Sequence, residues 1–322
     1  VIILSIIKKF NNFIYRSKYT NAHIISQNKP IDLALELTST CNQRCGYCYH
    51  ADQENLPFSK GFMDTDLAYM IIDQGADLGV HSIKFNLRGE STLHKEFKSI
   101  TEYAKNYAKG LTYIDRITNS NFKFNNTRED IFEGLCNQTK VKISFDSFIP
   151  EVMHKQRAGS IHSLAMCNID YFYNHPKRKN TEIVIQAVRT SLNKDEDIEG
   201  QVKKRWSEAK VSIRDMVTGR VDKDLSELEN RKRDINNRQT CIQAHARLIV
   251  HHDGKVVACC PDISGKLQLG DATKETLYDI WNSKKAKELR ESLKNKTAFS
   301  KEPCKSCSSF ESYKGFKQNW ES

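Results

Sequence analysis

The chain has 322 residues, 39% of them hydrophobic, enough for one large domain plus an appendage and too apolar for a disordered segment. Gly and Pro number only 14 and 6, and no period of 20–50 residues recurs, which excludes collagen-like, low-complexity and solenoid architectures. A formal charge of +10 would favour anionic partners, but the cations lie along helical stretches such as Lys203, Lys204 and Arg205, the pattern of solvated faces, so no nucleic-acid partner is expected.

Residues 1–7 are apolar but stop at Lys8 and Lys9, far short of the ~20 residues that span a bilayer. Residues 1–30 read as an N-terminal extension with an amphipathic helix, Phe10, Phe13, Ile14 and Tyr15 supplying its apolar side and Lys8, Lys9, Arg16 and Lys18 its charge. Packing on the protein body is preferred over membrane contact. No signal peptide with a cleavage site is visible, so a cytoplasmic, reducing location is expected. There ten cysteines serve metal or cluster ligation better than disulfides.

From residue 31 short β-type runs alternate with helical patterns, the signature of parallel strands joined by crossover helices. Strands are expected over 31–37, 82–87, 111–117, 141–145, 182–188 and 211–216, with helices over 64–78, 95–109, 127–138, 160–174 and 195–209. Asp64 and Ser160 have N-cap chemistry, and Thr127 with Asp130 has capping-box spacing. Six such units are fewer than a closed TIM barrel needs, so the fold class is α/β, an open partial (β/α)6 TIM-like barrel over 31–220 with its chemistry at the C-terminal strand ends. Residues 221–240 read as a charged linker. A small C-terminal domain over 241–322 follows, opening on a hairpin in which 247–252 and 255–258 flank Asp253-Gly254, a pair suited to a type I′ turn.

Cys41-x3-Cys45-x2-Cys48 follows directly on the first expected strand, so three thiols share one loop at the barrel mouth. Three thiolates leave one iron of a [4Fe-4S] cluster open to bind a substrate. A zinc site completed by His50, or a set of redox thiols, is the alternative.

This loop resembles that of the radical S-adenosylmethionine (SAM) superfamily, whose signature is the same spacing with an aromatic residue before the last cysteine, as Tyr47 is here. The resemblance implies a [4Fe-4S] cluster on Cys41, Cys45 and Cys48 whose open iron chelates SAM. It also implies one-electron cleavage of SAM to a 5′-deoxyadenosyl radical that takes a hydrogen atom from a substrate, with a flavodoxin or ferredoxin as electron donor. Arg88-Gly89-Glu90 resembles the family's Gly-Gly-Glu segment, with Arg for the first Gly, which implies that Gly89 and Glu90 receive the SAM ammonium. Thr118-Asn119-Ser120 and Ser144-Phe145-Asp146 resemble its Thr-Asn-Gly and Ser-Ile-Asp, implying that Asn119, Ser144 and Asp146 lie near the ribose. Arg157 stands where relatives pair a basic residue with the SAM carboxylate. The glycine-rich stretch for adenine is not evident, and Gln186 or Arg189 is the expected substitute.

Cys241, Cys259, Cys260, Cys304 and Cys307 gather in the last quarter of the chain, while Cys136 and Cys167 fall in helical patterns and are expected to be buried, inert thiols. Cys241 and the Cys259-Cys260 hairpin, followed by Leu-Gly-Asp, Ile-Trp-Asn-Ser and Cys304-x2-Cys307, resemble the SPASM/twitch extension of radical SAM enzymes. That implies a second, auxiliary [4Fe-4S] cluster on Cys241, Cys259, Cys304 and Cys307, with no open iron. A four-thiolate zinc site is the alternative. Cys260 is left as a substitute ligand, a buried thiol or a hydrogen-atom donor to a substrate radical. The favoured reaction is oxidation of a small polar or carbohydrate-like molecule. Radical epimerisation or peptide modification is the runner-up, and a non-catalytic metal-binding module the distant alternative.

Overall fold

The computed structural model describes residues 13–15, 17–22, 24, 27–106, 113–118, 128–178, 181–216, 241–305 and 307. Its strands are β1 (Asp32–Leu35), β2 (Arg44–Cys45), β3 (Ser82–Lys84), β4 (Tyr113–Thr118), β5 (Lys140–Ser144), β6 (Arg157–Ala158), β7 (Glu182–Arg189), β8 (Lys210–Asp215), β9 (Arg247–Val250), β10 (Lys255–Val257) and β11 (Gln268–Asp271). The six expected barrel strands pair parallel in the order β1-β3-β4-β5-β7-β8. The C-terminal hairpin continues this sheet: β9 pairs parallel with β1, then β10 and β11 follow antiparallel.

Alternation along β1 decides what faces what. Leu33, Leu35 and Leu37 are fully buried and join Ala68, Ile71 and Ile72 of α1 (Thr65–Asp77) in the main core. Each such side chain contributes about 1.5–3 kcal/mol by leaving water. Ala34 belongs to a separate apolar cluster with Ile249 and Val257, so the intervening residues Asp32, Ala34 and Glu36 face the opposite, barrel-inner side. The remaining crossover helices are α2 (Phe97–Asn106), α3 (Arg128–Cys136), α4 (Pro150–Gln156), α5 (His162–Tyr173) and α6 (Ile198–Arg205). The C-terminal part adds α7 (Gln243–Ala246), α8 (Leu277–Asn282) and α9 (Lys284–Lys294), with Trp281 fully buried.

At the foot of β1, Asp32 accepts hydrogen bonds from Tyr15 Oη (2.8 Å), Ser82 Oγ (2.7 Å), Lys84 Nζ (3.2 Å) and Arg247 Nη2 (3.2 Å). One carboxylate thereby joins the N-terminal segment, β1, β3 and β9. Burial alone would raise its pKa, but Lys84, Arg247, Ser82 and Tyr15 outweigh burial and hold it at about 2. Tyr15 and Tyr19 pack with Ala22, Ile31, Ile242 and Ala246, so the described part of the N-terminal extension lies against the body, with Phe13 exposed. Lys8, Lys9, Phe10, Arg16 and the expected linker 221–240 lie outside the described residues. Among those described, no helix is long and apolar enough to cross a membrane.

Three expectations need correction. Asp64 caps α1 through the amides of Asp66 and Leu67, but Ser160 caps nothing: its amide closes a turn on the Arg157 carbonyl (2.9 Å), and α5 starts after Ile161. The hairpin turn is not type I′, because only Gly254 has a positive φ (84°). The Gly254 amide bonds to His251 and the His251 amide to Lys255, a turn ending in one left-handed residue. Cys167 is exposed rather than buried, since it lies on the outward face of α5. The seven-residue α4 and the two-residue pair β2-β6 are too short to register as periodicity.

Candidate functional site

The cysteine loop leaves the C-terminal end of β1 and is held by its own backbone. Ser39 accepts the Gly61 amide on its hydroxyl and donates that hydroxyl to the Ser59 carbonyl, both at 2.9 Å, while the Cys48 amide closes a turn on the Cys45 carbonyl (2.9 Å). Cys45 sits in β2, whose antiparallel partner β6 sets Arg157 directly opposite it. Burial pushes the Cys41 and Cys45 thiols up to about 12. The Cys45, Glu90 and Cys48 charges push Cys41 the same way, whereas Arg157 opposes burial at Cys45. The three thiols and Glu90 therefore share one low-dielectric pocket with a single guanidinium beside it. Cys41 and Cys45 stay protonated there unless a cation takes the proton's place, the condition a cluster iron meets.

Arg157 is buried and pairs with Asp146: Nη2 donates to Oδ1 at 3.0 Å, Nε stands 2.9 Å from Oδ2 without a hydrogen bond, and Nη1 reaches Cys45 Sγ at 3.6 Å. Asp146 also accepts from Tyr47 Oη (2.6 Å) and the Val188 amide (2.9 Å). Expected site residues from three distant segments thus form one wall behind Cys45. Both Arg157 and Asp146 are engaged with each other, and their geometry supports that wall before any contact with SAM.

Gly89 is required by close approach: a Cβ there would lie 2.3 Å from the Thr38 carbonyl oxygen and 2.4 Å from that of Thr40. The Glu90 amide bonds to the Thr40 carbonyl (2.9 Å), and its carboxylate accepts from the Thr92 amide (3.0 Å) and hydroxyl (2.6 Å). Ser144 pairs in register with Gln186, whose buried Oε1 has no hydrogen-bond partner, an acceptor suited to a ligand. Arg189 is committed elsewhere, to the carbonyls of Asn193, Lys194 and Glu196. Asn119 lies outside the described residues.

In the C-terminal part, burial pushes the Cys241 thiol up to about 12, with Cys307 and Cys304 adding to the rise. Burial likewise raises Cys259, with Cys241, Cys260, Asp262 and Cys307 contributing. Cys241 thus interacts with Cys304, Cys307 and Cys259, and Cys259 also with Cys307 and its neighbour Cys260, so these cysteines lie in one neighbourhood. Cys260 turns the other way. Its Sγ donates to Gln243 Oε1 at 3.1 Å, and it packs on the inner-face cluster of Ala34, Ile249 and Val257. Four thiolates so grouped suit a zinc ion or an iron-sulfur cluster alike. A cluster takes its thiolates on separate irons.

Sequence reasoning missed Glu36, which is fully buried and receives Arg88 Nε (2.6 Å), Arg88 Nη2 (2.5 Å) and His252 Nδ1 (3.0 Å). A lone Glu at the end of an apolar strand was the available signal.

Residues 241–308 match the SPASM family, an iron-sulfur cluster-binding domain. No curated protein matches the chain. Among solved structures, BtrN in complex with AdoMet and 2-DOIA is 20% identical, with a TM-score of 0.57 over 88% of this chain and 94% of that one. Streptococcus suis SuiB bound to S-adenosylmethionine is 14% identical, with a TM-score of 0.63 over 82% of this chain and 68% of that one. Native anSMEcpe with bound AdoMet is 18% identical, with a TM-score of 0.61 over 82% and 84%. The barrel with its cysteine loop shares the fold of these solved proteins, and the C-terminal part carries the match to the SPASM iron-sulfur cluster-binding domain. The SPASM match is to a domain that binds an iron-sulfur cluster, and the three solved proteins each have S-adenosylmethionine bound.

Proposed function

We propose that the enzyme oxidises a small polar, carbohydrate-like molecule by removing a hydrogen atom and then an electron and a proton. Cys41, Cys45 and Cys48 would hold the SAM-binding [4Fe-4S] cluster, and Cys241, Cys259, Cys304 and Cys307 a second one. Bound there, these groups supply reductive cleavage of SAM to a 5′-deoxyadenosyl radical and a sink for the substrate's second electron. The observation that carries the reading is the separation of Cys41, Cys45 and Cys48, beside Arg157 and Glu90, from the C-terminal cysteines inside the SPASM match.

The chain's own residues orient and exclude. Gly89 and Glu90 offer backbone and carboxylate groups to the SAM ammonium, and Ser144, Gln186 and Asn119 offer polar groups to its nucleoside. Tyr47, Asp146 and Arg157 close the wall behind Cys45 and keep a cation against its sulfur. The fold shared with BtrN, solved in complex with AdoMet and 2-DOIA, supports a small-molecule substrate.

A second reading, radical epimerisation, is favoured by Cys260, whose exchangeable S–H lies against the inner-face cluster. SuiB has a structure bound to its precursor peptide SuiA, so a peptide substrate is the third arm. Anaerobic turnover of polyols, aminocyclitols and peptides in deuterated water tests all three. A product two mass units lighter supports oxidation. Deuterium retained at carbon with no mass deficit sinks it in favour of hydrogen return by a thiol.

A further inference from the structure

Glu36, at the inner-face end of β1, accepts five hydrogen bonds: from Arg88 Nε, Nη2 and N, and from His252 Nδ1 and N (3.2 Å). The third nitrogen of Arg88, Nη1, crosses to the carbonyl of Ile263 at 2.8 Å, inside the SPASM domain and three residues beyond Cys260. The guanidinium lies 4.4 Å from the Phe58 ring centroid, and the Arg88 carbonyl accepts from His50 Nε2 at 3.0 Å, two residues after Cys48. Immediately after Arg88 come Gly89, jammed against the Thr38 and Thr40 carbonyls, and Glu90. One side chain therefore touches the barrel strand, the segment after the three cysteines and the SPASM loop that follows Cys259. A buried ion pair is a poor stabiliser compared with packed apolar side chains, but it does fix register. Only a planar fork can serve Glu36 and Ile263 together.

We propose that Arg88 is a positioning residue that couples docking of the SPASM loop 251–263 to occupancy of the SAM site, so that each favours the other. This deepens the proposed function and rests on its assignment of Gly89 and Glu90 to the SAM ammonium. Coupling of this kind is reciprocal: the factor by which docking raises SAM affinity equals the factor by which SAM favours docking.

Arg88→Lys isolates the coupling, because an ammonium can keep the charge against Glu36 but cannot also reach Ile263. Full-length wild type and Arg88→Lys, reconstituted anaerobically with iron and sulfide, would be compared by equilibrium SAM binding and by hydrogen exchange of residues 251–265. In the wild type SAM should slow exchange there. In Arg88→Lys that slowing should vanish and the SAM Kd rise about tenfold, with iron content unchanged. Equal protection of 251–265 in both proteins, or an unchanged Kd, overturns the coupling while leaving the site reading intact. Iron-loaded wild type that binds no SAM refutes the site reading itself, and the coupling with it. If Arg88→Lys loses iron, the iron-free chains decide. Faster exchange confined to 251–265 supports the clasp, and loosening that extends to α1 and β5 refutes it.

Discussion

Asp146 and Arg157 form a buried ion pair in which Nη2 donates to Oδ1, while Nη1 of the same guanidinium points at Cys45 Sγ. Both partners are buried, so removing one strands the other as an uncompensated charge, at a cost of about 3–5 kcal/mol. Asp146→Asn should therefore lower stability and iron retention far more than Tyr47→Phe, which deletes one hydrogen bond worth roughly 1–3 kcal/mol. Thermal unfolding and iron content of the reconstituted variants check the order. Equal effects would mean the pair does not hold the wall.

Replacing Cys41, Cys45 or Cys48 by Ala should abolish 5′-deoxyadenosine formation while sparing the SPASM cluster, so iron should fall from about 8 to about 4 per chain. Iron analysis beside product quantification separates the two effects. Persistent 5′-deoxyadenosine in any of the three variants refutes the assignment.

Cys259 and Cys260 are neighbours in sequence but face different surroundings, one grouped with Cys241 and Cys307, the other bonded to Gln243. Cys259→Ala should remove about half the iron, whereas Cys260→Ala should leave both iron and SAM cleavage intact. The opposite pattern would exchange their roles. If Cys260→Ala also abolishes deuterium incorporation into a product, hydrogen return belongs to Cys260.

The sequence made the strands legible because alternation and crossover spacing are local properties: every expected barrel strand begins within two residues of its observed start. Loop positions were legible only through motif chemistry, as with Gly89, whose need for a bare Cα becomes physical once Thr38 and Thr40 close over it. What escaped was pairing at long range. Glu36 and Arg88 are 52 residues apart, and Glu36 and His252 are 216 apart, so no window reports that these three must neutralise one another. Asp146 and Arg157 were both legible as site residues, but the bond between them was not.

The two carboxylates on the inner face of β1 also set the acid limit of the fold. Burial would raise both pKa values. At Asp32 it is outweighed by Lys84, Arg247, Ser82 and Tyr15, and at Glu36 by Arg88 and His252, so each is held at about 2. In the unfolded chain they titrate near 4. A depressed folded-state value adds stability that is fully present above about pH 4–5 and drains away as pH falls toward 2, roughly 2 kcal/mol for each group. Urea unfolding of the iron-free chain should give a midpoint that already declines below about pH 6.5, because burial lowers His81, His162 and His251, and that falls more steeply below about pH 4 as the two carboxylates take up protons. Asp32→Asn strands Arg247 beside a neutral amide, so it should lower stability at pH 7 by about 3–5 kcal/mol. That variant should also lose part of the acid-induced fall, because one of the two titrating groups is gone. An acid limb as steep in Asp32→Asn as in the wild type would show that Asp32 does not govern it.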